Sequence, residues 1–379
     1  MKRIVFFTFV LAGTISPFCN ADLVVGPAIP VPGWEPNPNN DQEISYISPD
    51  ADFMLVSIHH WPNRYVAKRA WNPATSSWDP AENIGLTGAD NTHGYLSPDM
   101  NMIVYGAGYW DTMIHRSIWS GSSWLPGEQI LFIPTWCPMF TGSKLYFNIE
   151  SNTPGYLDDL AVSDYDPDTD QFSAYTRITE LNTQYYEDAP WVSSDGKLIL
   201  FQSDRPGGYG GTDIWCAFWD EGSQKWGSIT NLGPNVNTSE HERFPRIAED
   251  AQLLFFIRDW TLLQAPISEP AIEATIDIDP NTLNLQSKGK WITCYISLPA
   301  DYNVVDINSA SIVLEDNIKA AWTWVDDEAQ IIMVKFSRSE VESILQPGQV
   351  ELKVSGEFIN GRRFEGTDTI NVINEGKGN

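Results

Sequence analysis

Acidic side chains recur at one place in this sequence, a few residues before a turn that leads into an apolar run. Glu43 stands there once, Glu187 and Asp188 stand there together, and Glu242 stands there a third time. Two carboxyl groups that flank a glycosidic bond can act as general acid and general base. These four residues are therefore candidate catalytic residues of a glycan-active hydrolase or lyase. The alternative, that each carboxylate ties a loop to the neighbouring repeat unit, stays open.

Tryptophan is unusually frequent, with 16 copies, and its flat ring can stack on a ligand such as a sugar. Six copies, Trp71, Trp78, Trp119, Trp124, Trp215 and Trp226, recur at equivalent positions of a repeat, which favours packing within the fold. The copies that do not recur are candidate ligand-binding residues, and Arg243 beside Glu242 joins them. The tryptophans in this group are Trp34, Trp61, Trp110, Trp136 and Trp191.

Four aspartates alternate in the stretch DYDPDTDQ: Asp164, Asp166, Asp168 and Asp170. Alternating carboxylates suggest a calcium loop, but Thr169 and Tyr175 stand where an EF-hand needs Gly and Glu. An acidic hairpin turn is the favoured interpretation and calcium the alternative. No other cofactor is expected, because the five histidines show no metal-ligand spacing on a common element.

The elements that must position these residues repeat along the chain. Asp50, Asp99, Asp195 and Asp250 each close a turn before an apolar run, at spacings of 49, 96 and 55 residues, and TGSKLYF fills the gap of double length. In the fourth unit, four runs rich in Val, Ile, Phe and Trp alternate with Gly, Asp, Ser and Pro clusters. This pattern predicts a four-stranded antiparallel blade in each unit.

The stretch DGKLILFQSDRPGGYGGTDIW, followed by NLGPNVNT, resembles the WD-like β-propeller repeat of the TolB type. The resemblance covers roughly residues 23–267 and implies a propeller fold in a secreted setting. It implies no reaction, because propellers include both binding proteins and enzymes.

The domain prediction is all-β: a five-bladed β-propeller over residues 22–267, a linker at 268–275, an immunoglobulin-like β-sandwich at 276–374 and a tail at 375–379. The fifth unit stops before its outer strand, and we expect the segment 23–32 to supply that strand and close the ring. IDIDPNTLNLQSKGKWITCYISLP resembles a module that recurs in secreted bacterial proteins. RSEVESIL is expected to form a short helical turn.

Residues 1–21 have the charged, apolar and small-residue parts of a signal peptide, which predicts a secreted or periplasmic protein. No apolar stretch is long enough to predict a membrane span. The formal net charge of −27 argues against nucleic acid as a partner. Cys137, Cys216 and Cys294 are expected to be buried thiols, because they are odd in number and far apart.

The leading functional hypothesis is a non-catalytic module whose propeller face binds a protein or glycan partner. The alternative is the glycan-active hydrolase or lyase. A deep pocket lined by acids and aromatic rings would favour the enzyme, and a filled channel with a flat face would favour the binding module.

Overall fold

The computed structural model describes residues 23–34, 41–60, 63–88, 90–108, 112–131, 133–150, 158–268, 271–300, 302–359 and 362–374. The predicted signal peptide, the predicted tail, Trp61 and Trp110 lie outside these residues. Within them the chain is nearly all β and contains no helix that could span a membrane. The chain divides into two compact units, Met1–Ser268 and Glu269–Asn379.

Antiparallel sheets follow one another along the first unit, and the structure describes five. Two short segments come first, β1 (Val24–Val25) and β2 (Ile29–Pro30). Sheet one contains β3 (Asp41–Ile47), β4 (Phe53–His60), β5 (Asn63–Asn72), β6 (Ser77–Trp78) and β7 (Glu82–Asn83). Sheet two contains β8 (Asn91–Leu96), β9 (Met102–Ala107), β10 (Met113–Ile118) and β11 (Glu128–Gln129). Sheet three contains β12 (Thr135–Thr141), β13 (Lys144–Glu150), β14 (Asp158–Asp166), β15 (Gln171–Phe172) and β16 (Thr176–Arg177). Sheet four contains β17 (Glu187–Val192), β18 (Leu198–Ser203), β19 (Asp213–Asp220) and β20 (Lys225–Asn231). Sheet five contains β21 (Glu242–Ala248), β22 (Leu253–Arg258) and β23 (Thr261–Ser268).

Burial decreases from the first strand of a sheet to the last. In sheet four every residue of β17 and β18 is buried, whereas β20 is largely exposed. Aromatic pairs close the hairpin between the third and fourth strands: Trp71 with Trp78, Trp119 with Trp124 and Trp219 with Trp226, at ring distances of 5.6, 5.2 and 5.4 Å. Such edge-to-face pairs contribute about 0.5–1.5 kcal/mol each beyond the area they bury. The recurring tryptophans therefore hold the outer hairpins together.

The first strands of the sheets form a ring. Strand β3 adjoins β8, β8 adjoins β12, β12 adjoins β17, β17 adjoins β21, and β21 adjoins β3 again. The buried Arg246 on β21 donates from Nε to the carbonyl oxygen of Ser45 on β3, at 2.7 Å, and so links the last sheet to the first. Sheets arranged around a central axis by their first strands define a β-propeller.

The segment before sheet one completes sheet five, as the sequence predicts. In β1, Val24 pairs with Ser268 and Val25 with Ile267 of β23, and in β2, Ile29 pairs with Gln264. Without this segment β23 would present an open edge, which is a template for aggregation. The ring is therefore closed by pairing between the first and the last strands of the first unit.

The second unit contains two sheets whose inner faces share one core. One sheet contains β24 (Ile272–Glu273), β26 (Thr282–Asn284), β28 (Ile307–Leu314), β29 (Ile318–Lys319), β32 (Gly348–Phe358) and β33 (Arg363–Ile373). The other contains β25 (Thr275–Asp279), β27 (Trp291–Ser297), β30 (Trp322–Asp326) and β31 (Ile331–Ser337). A 3-10 turn, η1 (Val304–Asp306), precedes β28, and the predicted helical turn is confirmed as α1 (Arg338–Ile344).

Strands extend into the stretch that the sequence predicts as a linker. Strand β23 ends at Ser268, β24 begins at Ile272 and β25 begins at Thr275. The three cysteines of the described chain, Cys137, Cys216 and Cys294, are buried free thiols, as expected.

Candidate functional site

The first strands bend at equivalent points near one end of the ring. In sheets two to five the pairing between the first and second strands shifts register there. The residue of the first strand that follows the last regular pair before the shift has a positive φ. These residues are His93, Cys137, Ala189 and Phe244, with φ of 51°, 46°, 51° and 54°. In sheet one the shift falls between Ile44 and Tyr46. A bulge re-aims the side chains around it, and strained backbone of this kind is frequent at functional sites.

The bulges border a cavity of about 510 Å³, which we call the acidic pocket. All five sheets contribute to its wall. Its lining residues are Glu43, His59, Arg64, His93, Pro134, Trp136, Cys137, Asn148, Glu150, Asp158, Tyr186, Asp188 and Phe244. Four carboxyl groups, two imidazoles and three other aromatic rings therefore converge on one concave space.

Glu43 lies between two histidines. Its Oε2 is 3.0 Å from Nε2 of His59 and 3.0 Å from Nε2 of His93. Burial alone would raise the pKa of Glu43, but the contacts with His59 and His93 outweigh it and lower the pKa well below its ordinary value. Glu43 is therefore an ionised carboxylate over the physiological pH range.

Asp188 is held by donors on three sides. Tyr186 donates its hydroxyl proton to Oδ2 at 2.6 Å, Gln202 donates from Nε2 to the same oxygen at 3.1 Å, and the Ala189 N–H donates to Oδ1 at 2.5 Å. Burial raises the pKa of Asp188 although these hydrogen bonds act in the opposite direction. The carboxyl group is thus fixed in orientation before any ligand arrives.

Asp158 begins the third strand of sheet three, opposite Glu150. Burial, followed by the negative charge of Asp188, raises the pKa of Asp158 to about 7. The pocket therefore combines an acid that holds its proton close to neutral pH with Glu43, which is ionised. Separated pKa values of this kind are typical of acid and base pairs in active sites.

Glu187 and Glu242 do not line the pocket, although Glu187 stands between Tyr186 and Asp188, which do. Both glutamates are fully buried. Glu187 accepts hydrogen bonds from the Thr183 N–H at 2.8 Å, the Thr183 hydroxyl at 2.6 Å and Arg205 Nη2 at 3.1 Å. The equivalent partners of Glu242 in sheet five are Thr238 and Arg258. Each glutamate thus holds the loop that precedes its strand to its own sheet, whereas the alternative expected from the sequence is a tie to the neighbouring blade.

The tryptophan candidates also divide into a residue that lines the pocket and residues that do not. Trp136 lines the acidic pocket, whereas Trp34 and Trp191 are buried in the core. Trp34 donates its indole N–H to the carbonyl oxygen of Trp260 at 3.4 Å. Arg243 lies with its guanidinium 5.1 Å from the ring centre of Trp260.

The alternating aspartates have partners within the protein. Lys144 donates to Asp164 at 2.6 Å, Arg116 bonds both oxygens of Asp170, and Asp166 accepts from the Asp168 N–H at 2.9 Å. Among the described residues no group of three or more His, Cys, Asp or Glu side chains is placed to hold a metal ion. The geometry is that of an acidic turn.

Several pocket residues are not among the sequence candidates: His59, Arg64, His93, Asn148, Glu150, Asp158, Tyr186 and Phe244. The predicted order of strands could have identified four of them. The end of the second strand and the start of the third lie at the same end of a blade as the start of the first. His59 pairs with Arg64 and Glu150 with Asp158 across such hairpins.

No protein-family model matches the chain, and no curated protein matches it. Solved structures with a similar arrangement include a proposed TolB from Agrobacterium tumefaciens, with 13% identity and a TM-score of 0.41 over 68% of this chain and 76% of that chain. A thermostable family-43 glycoside hydrolase has 10% identity and a TM-score of 0.44 over 64% of this chain and 92% of that one. An endo-arabinase from Bacteroides thetaiotaomicron has 12% identity and a TM-score of 0.43 over 64% and 98%. At these values the similarity carries no argument about function.

Proposed function

We propose that this chain is a secreted or periplasmic protein that binds a glycan in the acidic pocket of a five-bladed propeller. The five sheets each form one blade, and the second unit is an immunoglobulin-like β-sandwich. The signal-peptide pattern of residues 1–21 supports the location. One observation carries the proposal: oriented carboxylates and the ring of Trp136 face the same concave space.

The chemistry of the pocket fits a polyhydroxylated ligand. Carboxylates accept hydrogen bonds from sugar hydroxyls, and an indole face packs against the apolar face of a sugar ring. Asp188 and Glu43 are held by neighbours before the ligand binds, so little conformational entropy is lost on binding. A concave pocket also suits a small ligand or a chain end better than the surface of a folded protein.

Binding is proposed ahead of hydrolysis because most of the carboxylates already have partners. Glu187 and Glu242 hold loops, Glu43 contacts two histidines, and Asp188 accepts three hydrogen bonds. Hydrolysis needs two carboxyl groups that are free to reach the two sides of one bond.

Calorimetric titration of the full chain against a panel of oligosaccharides tests the proposal. We expect at least one to bind, and Trp136→Ala to weaken binding by roughly tenfold or more. The matched control is Trp119→Ala, which removes an exposed tryptophan that is absent from the pocket lining. Failure of every oligosaccharide to bind, or equal losses in both variants, would contradict the proposal.

The second candidate function is glycoside hydrolysis, and the pKa contrast favours it. Asp158 holds a proton near pH 7 and could protonate a leaving oxygen, while ionised Glu43 could activate water. Asp158→Asn separates the two functions, because it removes the proton but keeps the shape of the side chain. Release of reducing sugar that disappears in this variant, with binding retained, would replace the binding proposal by the hydrolase.

A further inference from the structure

The second unit exposes aromatic rings on the outer face of a sheet. In the sheet of β25, β27, β31 and β30, alternate residues point into the core, among them Ile292, Cys294, Val334 and Phe336. The residues between them point outward. Among these, Trp322, Trp324 and Tyr295 are 46%, 48% and 38% exposed.

The strand register places these rings on one surface. Trp324 pairs with Met333 of β31, and Met333 pairs with Tyr295 of β27, so the three form a row across the sheet. Trp322 lies two residues from Trp324 on β30, on the same side. Strand geometry then sets Trp322 about 7 Å from Trp324 along the strand, and Tyr295 about 10 Å from Trp324 across it. We call Tyr295, Trp322, Trp324 and Met333 the aromatic face.

Charges of both signs border the aromatic face. Lys335 places Nζ 5.4 Å from the ring centre of Trp322, a cation–π contact that favours one ring orientation. Strand β25 forms the opposite edge of the sheet. Its Asp277 lies in the cross-strand row of Trp324, its Asp279 lies in the row of Trp322, and both are exposed. One cation next to Trp322 and two carboxylates along β25 leave a surface that selects neither polyanions nor polycations.

We propose that the aromatic face binds a neutral polysaccharide chain. Rings spaced along and across a flat sheet offer successive platforms for sugar rings, and the bordering polar groups can bond the hydroxyls. The proposal concerns the second unit alone and does not rest on the function proposed for the acidic pocket.

Other occupants fit less well. A covered aromatic side chain buries about 150–250 Å², so at the observed exposures the three rings offer roughly 300 Å². A stable dimer needs about 800 Å² from each partner. The area of the aromatic face is therefore too small for a dimer interface with a second copy of this chain. An anionic membrane surface would be repelled by a chain with a net charge of −27.

The test is affinity electrophoresis of the full chain in gels that contain xylan, mixed-linkage β-glucan, galactomannan or, as the anionic probe, polygalacturonate. We expect at least one neutral polysaccharide to retard the protein and polygalacturonate not to do so. The double variant Trp322→Ala, Trp324→Ala should lose the retardation, with affinity reduced roughly tenfold or more. These side chains are half exposed, so the variant should fold, which circular dichroism verifies.

Two controls separate this site from the pocket. Trp119→Ala removes a tryptophan of the propeller that is 38% exposed and should retain the retardation. Because Trp136→Ala removes binding through the acidic pocket, the double variant is also compared with the unaltered aromatic face in a Trp136→Ala background. The proposal is overturned if no neutral polysaccharide retards the protein, or if, in the Trp136→Ala background, the double variant is retarded as strongly as the protein with an unaltered aromatic face. It is also overturned if Trp136→Ala alone abolishes the effect, or if the double variant instead loses self-association or binding to anionic vesicles.

Discussion

The acidic pocket and the aromatic face present their functional side chains in opposite ways. In the pocket, Asp188 is buried, the Glu43 side chain is 14% exposed, and both carboxylates are held by neighbouring side chains. On the aromatic face, Trp322 and Trp324 project from an edge strand into water. Buried polar groups must be satisfied by the fold itself, whereas exposed rings need only a rigid sheet beneath them. Substitutions should therefore disturb stability in the propeller and leave it nearly unchanged on the aromatic face.

The largest effect is expected from deleting residues 23–32. The deletion removes the strands that pair with β23 and leaves an open sheet edge. We expect the propeller transition in a calorimetric scan to fall steeply or the protein to aggregate, while the second unit, which has its own core, melts as before. Ile29→Ala, which keeps the backbone pairing and alters an exposed side chain, is the control. A deletion variant with an unchanged scan would show that the ring does not need this segment.

Glu187→Ala should reduce the free energy of unfolding by about 3–5 kcal/mol, because it leaves Arg205 buried without its carboxylate. Urea unfolding measures the change. Glu328→Ala, at an exposed position of the second unit, should change it by less than about 0.5 kcal/mol. Similar values for the two variants would mean that Glu187 has no structural role and would make it a catalytic candidate again.

The pH dependence of stability should show the raised pKa of Asp158. Its value of about 7 in the folded chain exceeds the ordinary 3.8, so the folded state retains a proton that the unfolded state releases between these values. The contribution of Asp158 to stability is therefore present below about pH 4 and is lost as the pH rises to about 7. Asp158→Asn removes this loss. The Tm of the variant minus the Tm of the wild type should therefore increase by a few degrees as the pH rises from about 4 to about 7.

Asp168→Asn, on an exposed turn of the same sheet, is the control for this measurement. It should follow the wild-type curve. A difference between wild type and Asp158→Asn that stays constant from pH 4 to pH 7 would contradict the protonated state of Asp158.

The smallest stability effect is expected on the aromatic face. Trp324→Ala should change the free energy of unfolding by less than about 0.5 kcal/mol, because the ring is half exposed and Val334 and Phe336 form the core beneath the sheet. Thermal unfolding monitored by far-UV circular dichroism gives this value. A loss above about 2 kcal/mol would make the ring part of the packing and would remove the contrast with the propeller.

Much of the architecture could be predicted from the sequence, because it depends on local patterns. Alternating apolar residues and Gly, Asp and Ser turns predict four strands in the fourth unit, and β17 to β20 occupy those positions. The segment at 23–32 could be assigned to the fifth sheet because a closed ring leaves no unpaired edge. The helical turn at Arg338 could be predicted from the run RSEVESIL, which precedes Pro347 and Gly348.

The site could be predicted only in part. Glu43, Asp188 and Trp136 are candidates that line the acidic pocket, whereas Glu187 and Glu242 hold loops and Trp34 and Trp191 are buried. Glu187 and Asp188 are adjacent in the sequence and therefore point to opposite faces of β17. Composition and spacing cannot decide which of two neighbours faces the ligand, because a bulge near the pair changes the direction of each side chain.

The sequence by itself determined the repeat, the order of strands and the acidic character of the inner strands, because these follow from side-chain type and from contacts between near neighbours. Only the tertiary structure decided that His59, His93 and Glu43 meet, and that Asp158 lies close enough to Asp188 for its pKa to rise. The physical reason is distance. Charge interactions and burial depend on separation in space, and residues from different blades come together only when the ring has closed.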